Sequence, residues 1–231
     1  NLETTIQTAR DFASTDYALA LLKGKRLSEA EQLEIAGRLA SLTGLTPEYV
    51  LSSNLRINIH RFVKELLREN GKTIGRLDSR FTGFDRDSAG EYHESDPSYT
   101  AILGPFSSTL NDYVRRDLKY EVDMPYEILS NVHETWKYDT FMNQYVNTAE
   151  NLRMAFQSNP ALKVLVCNGY FDLATPFFAT EYTLDHLELP VDLHSQITFK
   201  YYPSGHMMYI QLESLQKIAT DLREFLEQAG K

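Results

Sequence analysis

Apolar residues recur at helical spacing over the first third of the chain. From Asn1 to Leu22 they fall at Ile6, Ala9, Phe12, Ala13, Tyr17, Ala20 and Leu21, which predicts a helix stopped at Gly24. Ser28 with Glu31 three residues on is a capping box, and Leu33, Ile35, Ala36, Leu39 and Leu42 extend the helix behind it to Gly44. Thr46-Pro47 opens a short helix with proline at the first position, where its missing N–H costs nothing. Asn58 to Asn70 is amphipathic through Ile59, Phe62, Val63, Leu66 and Leu67, and Gly71 closes it. Over 72–105 the periodicity fails in favour of Gly, Asp, Ser and Thr, which predicts a long irregular excursion, usually functional or mobile in a compact protein. Helical spacing returns from Phe106 to Leu118 and again from Asp139 to Asn159.

The last third changes character. A strand over Leu162–Cys167, a helix near Phe177–Leu187, a strand over Ile197–Tyr202 and a helix over Leu212–Gln228 make a β-α-β-α tail, the pattern of a parallel sheet with covering helices. The expected class is α/β. Two parallel strands are too few for a stable sheet. The tail therefore reads as the end of a larger sheet, with 1–125 a mostly helical cap inserted into it and 126–231 the C-terminal part of its core. The start at Asn1 agrees with a processed or trimmed piece.

Composition narrows the function. The net charge of −9 argues against nucleic acid and gives no reason for binding an anionic membrane. No apolar run approaches the roughly 18–20 residues of a membrane span. One cysteine, Cys167, excludes an internal disulfide and a cysteine-built zinc site, and reads as an inert core thiol.

Chemistry concentrates at the two strand tips. "KVLVCNGYFDLATP" (Lys163–Pro176) presents Asp172, and "ITFKYYPSGHMMYI" (Ile197–Ile210) presents His206. Ligands bind outside the carboxyl ends of parallel strands, so both groups face the same side of the sheet. A carboxylate that orients a histidine is the back half of a Ser-His-Asp triad, and acid before histidine is the α/β-hydrolase order. Gly169 and Gly205 would let the backbone turn sharply beside them. Taken singly, Asp172 reads equally as a turn or capping residue and His206 as a satisfied loop histidine. Other patterns carry less. Asp85-x-Asp87-x-Ala89-Gly90 with Asp96 half-matches an EF-hand loop, but Ala89 offers no ligand. His133-Glu134 begins like a zincin helix and ends in Lys137. Arg76 and Arg80 read as solvated or structural salt-bridge partners rather than site residues.

"NGYFDLATP", "YYPSGHMMYI" and "GRLDSRFTG" (Gly75–Gly83) resemble motifs of the serine carboxypeptidase family, especially its bacterial branch. The resemblance covers essentially this whole chain and about the second half of a family member. It implies an α/β-hydrolase fold with a helical insertion, Asp172 as triad acid, His206 as triad base, a peptide substrate, no cofactor and no metal. Where many members follow Gly-His-Met with Val-Pro, this chain has Met208-Tyr209. Neither Gly-x-Ser-x-Gly nor the family's Gly-Glu-Ser-Tyr occurs. The nucleophile is then expected on an N-terminal half of the same protein, the chain alone is expected to be inactive, and an exported, periplasmic or extracellular setting is what the family suggests. The alternatives are another α/β-hydrolase activity, such as an esterase or aminopeptidase, or a catalytically dead interaction domain.

Overall fold

A computed structural model describes residues 2–124, 126 and 129–230. Helix accounts for 57% and strand for 7%, so the content is mixed α and β but dominated by helices. The chain divides into two compact units, one of Asn1–Arg76 with Phe81–Ser95 and one of Leu77–Arg80 with Asp96–Lys231.

In the first unit, α1 (Leu2–Phe12) runs through a π-helical turn (Ala13–Tyr17) into α2 (Ala18–Lys23). Helix α3 (Glu29–Thr43) starts at the expected capping box, with the Ser28 side chain accepting from the Glu31 amide and the Glu31 carboxylate accepting from the Ser28 amide. It ends at Gly44, whose φ of +78° is left-handed. Thr46 caps α4 (Pro47–Ser52), with Pro47 at its start. Asn58 caps α5 (Ile59–Glu65), which stops short of the predicted Asn70; a 3-10 turn, Arg68–Asn70, and a left-handed Gly71 follow. Strands β1 (Thr73–Ile74) and β2 (Thr82–Gly83) pair antiparallel. Phe12, Ile35, Ala36, Leu39, Val50 and their neighbours form the core.

The second unit departs further from the sequence pattern. Helix α6 (Pro97–Asp112) begins inside the excursion expected over 72–105 and runs through Pro105. The start signal is local. Asp96 accepts from the Ser98 and Tyr99 amides, and Pro97 occupies the first turn. Helix α7 (Val132–Thr135) is a single turn. The long helix expected over Asp139–Asn159 is reduced to α8 (Ala149–Ser158). Met142 and Tyr145, counted as its apolar face, are 72% and 97% exposed, so that stretch has no surface to bury and spacing alone does not hold a helix.

The tail keeps the expected order, with the first strand two residues later than expected and one extra short helix. Strand β3 (Val164–Gly169), helices α9 (Phe177–Asp185) and α10 (Val191–His194), strand β4 (Ile197–Tyr202) and helix α11 (Leu212–Ala229) follow in order. The strands pair parallel, from Val164 opposite Ile197 to Gly169 opposite Tyr202. Val164, Val166 and Phe199 pack on one face against Phe156 of α8 and Leu184 of α9. On the other face, Lys200 and Tyr202 meet Asp221 of α11 at 3.0 and 2.8 Å. The buried side of α11 thus carries polar groups, Ser214 and Asp221, while Leu212, Leu215, Leu222 and Leu226 form an exposed stripe. Among the described residues no helix is long and apolar enough to cross a membrane.

Candidate acid–base site

The backbone after β3 continues its ladder past the strand end. The Tyr170 amide donates to the Tyr202 carbonyl and the Phe171 amide to the Ser204 carbonyl, both at 3.0 Å. Asp172 then turns inward and is 5% exposed. Its Oδ1 accepts the amides of Ala174 (2.7 Å) and Thr175 (3.0 Å), the geometry of an Asx turn. Its Oδ2 accepts the Thr175 hydroxyl at 2.6 Å and His206 Nδ1–H at 2.9 Å. The carboxylate thus meets the turn amides with Oδ1 and the imidazole with Oδ2.

His206 is brought to the same point from β4. Its amide donates to the Leu77 carbonyl at 2.7 Å, and its side chain is 42% exposed. Because Asp172 can only accept when ionised, it places the proton on Nδ1 and leaves Nε2 as the basic atom. Among the described residues Nε2 has no hydrogen-bond partner. The structure therefore brings together the two site residues drawn from the sequence, Asp172 and His206, as a buried acceptor and a partly exposed imidazole.

Gly169 and Gly205 serve a different purpose from the sharp turns expected of them. Neither has a left-handed φ. A Cβ on Gly169 would lie 2.1 Å from the Gly205 carbonyl oxygen, and one on Gly205 would lie 2.4 Å from the Leu77 carbonyl oxygen. The two glycines let three backbone segments close up around the histidine loop.

The third segment, Leu77–Arg80, lies inside Gly75–Gly83, one of the stretches that carries the resemblance, but none of its residues was named for the site. Asp78 is 2% exposed and holds Arg80 through two parallel contacts, Nε to Oδ1 at 3.0 Å and Nη2 to Oδ2 at 2.7 Å. Hydrogen bonding to the Asp78 carboxylate raises the Arg80 guanidinium further above its ordinary range. Arg80 also donates to the Pro203 carbonyl at 2.7 Å and lies 5.0 Å from the Phe171 ring centre. It is a structural cation that ties the loops after β3 and β4 together. Asp78-x-Arg80 and Asp172-x-x-Thr175 were in plain view as short-range polar pairs, but only the fold places both beside His206.

A cavity of about 650 Å³ opens beside His206. Ile102, Phe106 and Leu110 of α6, with Tyr113 and Met207, give it an apolar wall. Such a wall suits an apolar group of a ligand.

The remaining sequence candidates lie elsewhere. Asp85 is paired with Lys64 at 2.5 Å, both side chains being almost fully buried, and Asp87 caps the Ala89 amide. His133 and Glu134 sit in the exposed single turn α7. His60 stacks on His93 with ring centres 6.1 Å apart. Cys167 is half-buried, its Sγ 3.9 Å from the Tyr202 hydroxyl. Among the described residues no group of three or more His, Cys, Asp or Glu side chains could hold a metal ion. Comparison with protein-family models, with curated proteins and with solved structures finds no match to this chain.

Proposed function

We propose that this chain supplies the acid and the base of a serine-type hydrolase of the carboxypeptidase kind, with the nucleophile carried by another segment. The observation that carries the reading is the Asp172–His206 pair, 2.9 Å apart, at the ends of two adjacent parallel strands, with the acid buried and Nε2 unengaged among the described residues. In this reading Nε2 takes the proton of a serine as it attacks the last peptide bond. Asp172 stabilises the imidazolium, the terminal amino acid leaves, and water releases the acyl group. The apolar cavity beside His206 would receive a substrate side chain.

The need for a partner segment rests on the sheet. The Val164 amide donates to Gln196 and the Tyr170 amide to Tyr202, so alternate residues Leu165, Cys167 and Gly169 direct their backbone groups away from β4. A further strand along that edge, under the exposed leucines of α11, would complete an α/β-hydrolase sheet and bring in the serine elbow and oxyanion amides.

The test is labelling with a fluorophosphonate probe of this chain alone and of the full-length gene product, with and without His206→Ala. Labelling of the full-length protein alone, abolished by the substitution, is expected. Labelling of the isolated chain would overturn the external nucleophile, and no labelling of either would leave a catalytically silent domain.

A further inference from the structure

We propose that Thr175 is a positioning residue that holds His206 in the Nδ1–H tautomer. The geometry is a three-membered contact. Thr175 Oγ1 lies 2.6 Å from Asp172 Oδ2 and 3.2 Å from His206 Nδ1, while Nδ1 is 2.9 Å from that same Oδ2. The hydroxyl has one proton, and the ionised carboxylate can only accept, so Thr175 donates to Oδ2 and turns a lone pair towards Nδ1–H. A proton on Nδ1 then meets two acceptors. The alternative tautomer, with a bare Nδ1, would face a carboxylate oxygen with no proton between them.

The donated bond is short and made to a charged oxygen, so the hydroxyl proton stays directed at Oδ2 and none is left for a bare Nδ1. The other titratable groups around the imidazole are few. Asp78 and Arg80, on the segment packed against Gly205, neutralise each other, and the phenols of Tyr113, Tyr126 and Tyr209 share the cavity with it. None of these stands between His206 and the Asp172–Thr175 pair in the hydrogen bonding. The consequence for catalysis, a base presented through Nε2, rests on the hydrolase reading; the tautomer itself does not.

The experiment is ¹⁵N NMR of the neutral His206 imidazole on this chain, with the two ring-nitrogen shifts reporting the tautomer, for the parent, Thr175→Val and Thr175→Ser. Thr175→Val should weaken the preference for Nδ1–H and bring the two nitrogen shifts closer together, and Thr175→Ser should restore the parent pattern. If the amide fingerprint shows that valine disturbs the loop, Thr175→Ala answers the same question with less bulk. A tautomer unmoved by loss of the hydroxyl, or one not restored by serine, would overturn the proposal. Failure of the probe labelling described above would leave this tautomer measurement intact, so the two ideas fail separately.

Discussion

Gly169→Ala is the most demanding test of the loop geometry. The new methyl would lie 2.1 Å from the Gly205 carbonyl oxygen and 2.5 Å from that of Ser204, where ordinary contact begins at 3.4 Å. Both obstacles are backbone, so no side-chain rotation relieves them. Either the end of β3 or the histidine loop must move by more than an ångström. That movement opposes the Phe171–Ser204 and His206–Leu77 backbone bonds, at 3.0 and 2.7 Å. Overpacking of this kind costs about 3 kcal/mol, a large share of the roughly 5–15 kcal/mol that holds a typical domain together. Urea denaturation followed by circular dichroism measures the loss, and the His206 imidazole resonance reports whether the pair with Asp172 survives. Gly37→Ala is the control. That glycine lies within α3 and a Cβ there meets nothing within 4 Å, so the change should stabilise by about 0.5–1 kcal/mol. A Gly169→Ala protein as stable as its parent, with His206 unperturbed, would refute the reasoning that this glycine exists for close backbone approach.

Lys64→Ala in the first unit strands the buried Asp85 carboxylate and should cost about 3–5 kcal/mol, read as a fall in the denaturation midpoint. Asp221→Ala removes the acceptor of the buried Tyr202 hydroxyl and should cost about 1–3 kcal/mol near neutral pH. The same variant has a signature in acid. Burial works to raise the Asp221 carboxyl, but Lys200, Tyr202 and Lys217 outweigh it and leave it below its ordinary 3.8. Its contribution is present above that value and disappears as pH falls through the lower, folded one. Stability measured below about pH 4 should therefore decline more steeply in the parent than in the variant.

Much of the local architecture was legible because its causes are local. The Ser28–Glu31 box, the Thr46-Pro47 start and the left-handed stop at Gly44 each depend on residues a few positions apart and stand where the pattern put them, and the two strands lie within two residues of theirs. The signal failed where a helix needed something to pack against. Met142 and Tyr145 have helical spacing and no buried surface, while α6 persists through Pro105 because Asp96 caps it and Ile102 is buried. For the site, chain order nominated Asp172 and His206, and the resemblance supplied their expected roles. What only the tertiary structure decided was their environment. It put Thr175 on both partners, pinned His206 through Leu77 and Asp78 from far along the chain, and made Gly169 and Gly205 necessary for contact rather than for turning. The physical reason is that hydrogen-bond and packing partners far apart in sequence leave no periodic trace, whereas caps, turns and strand alternation are written within a few residues.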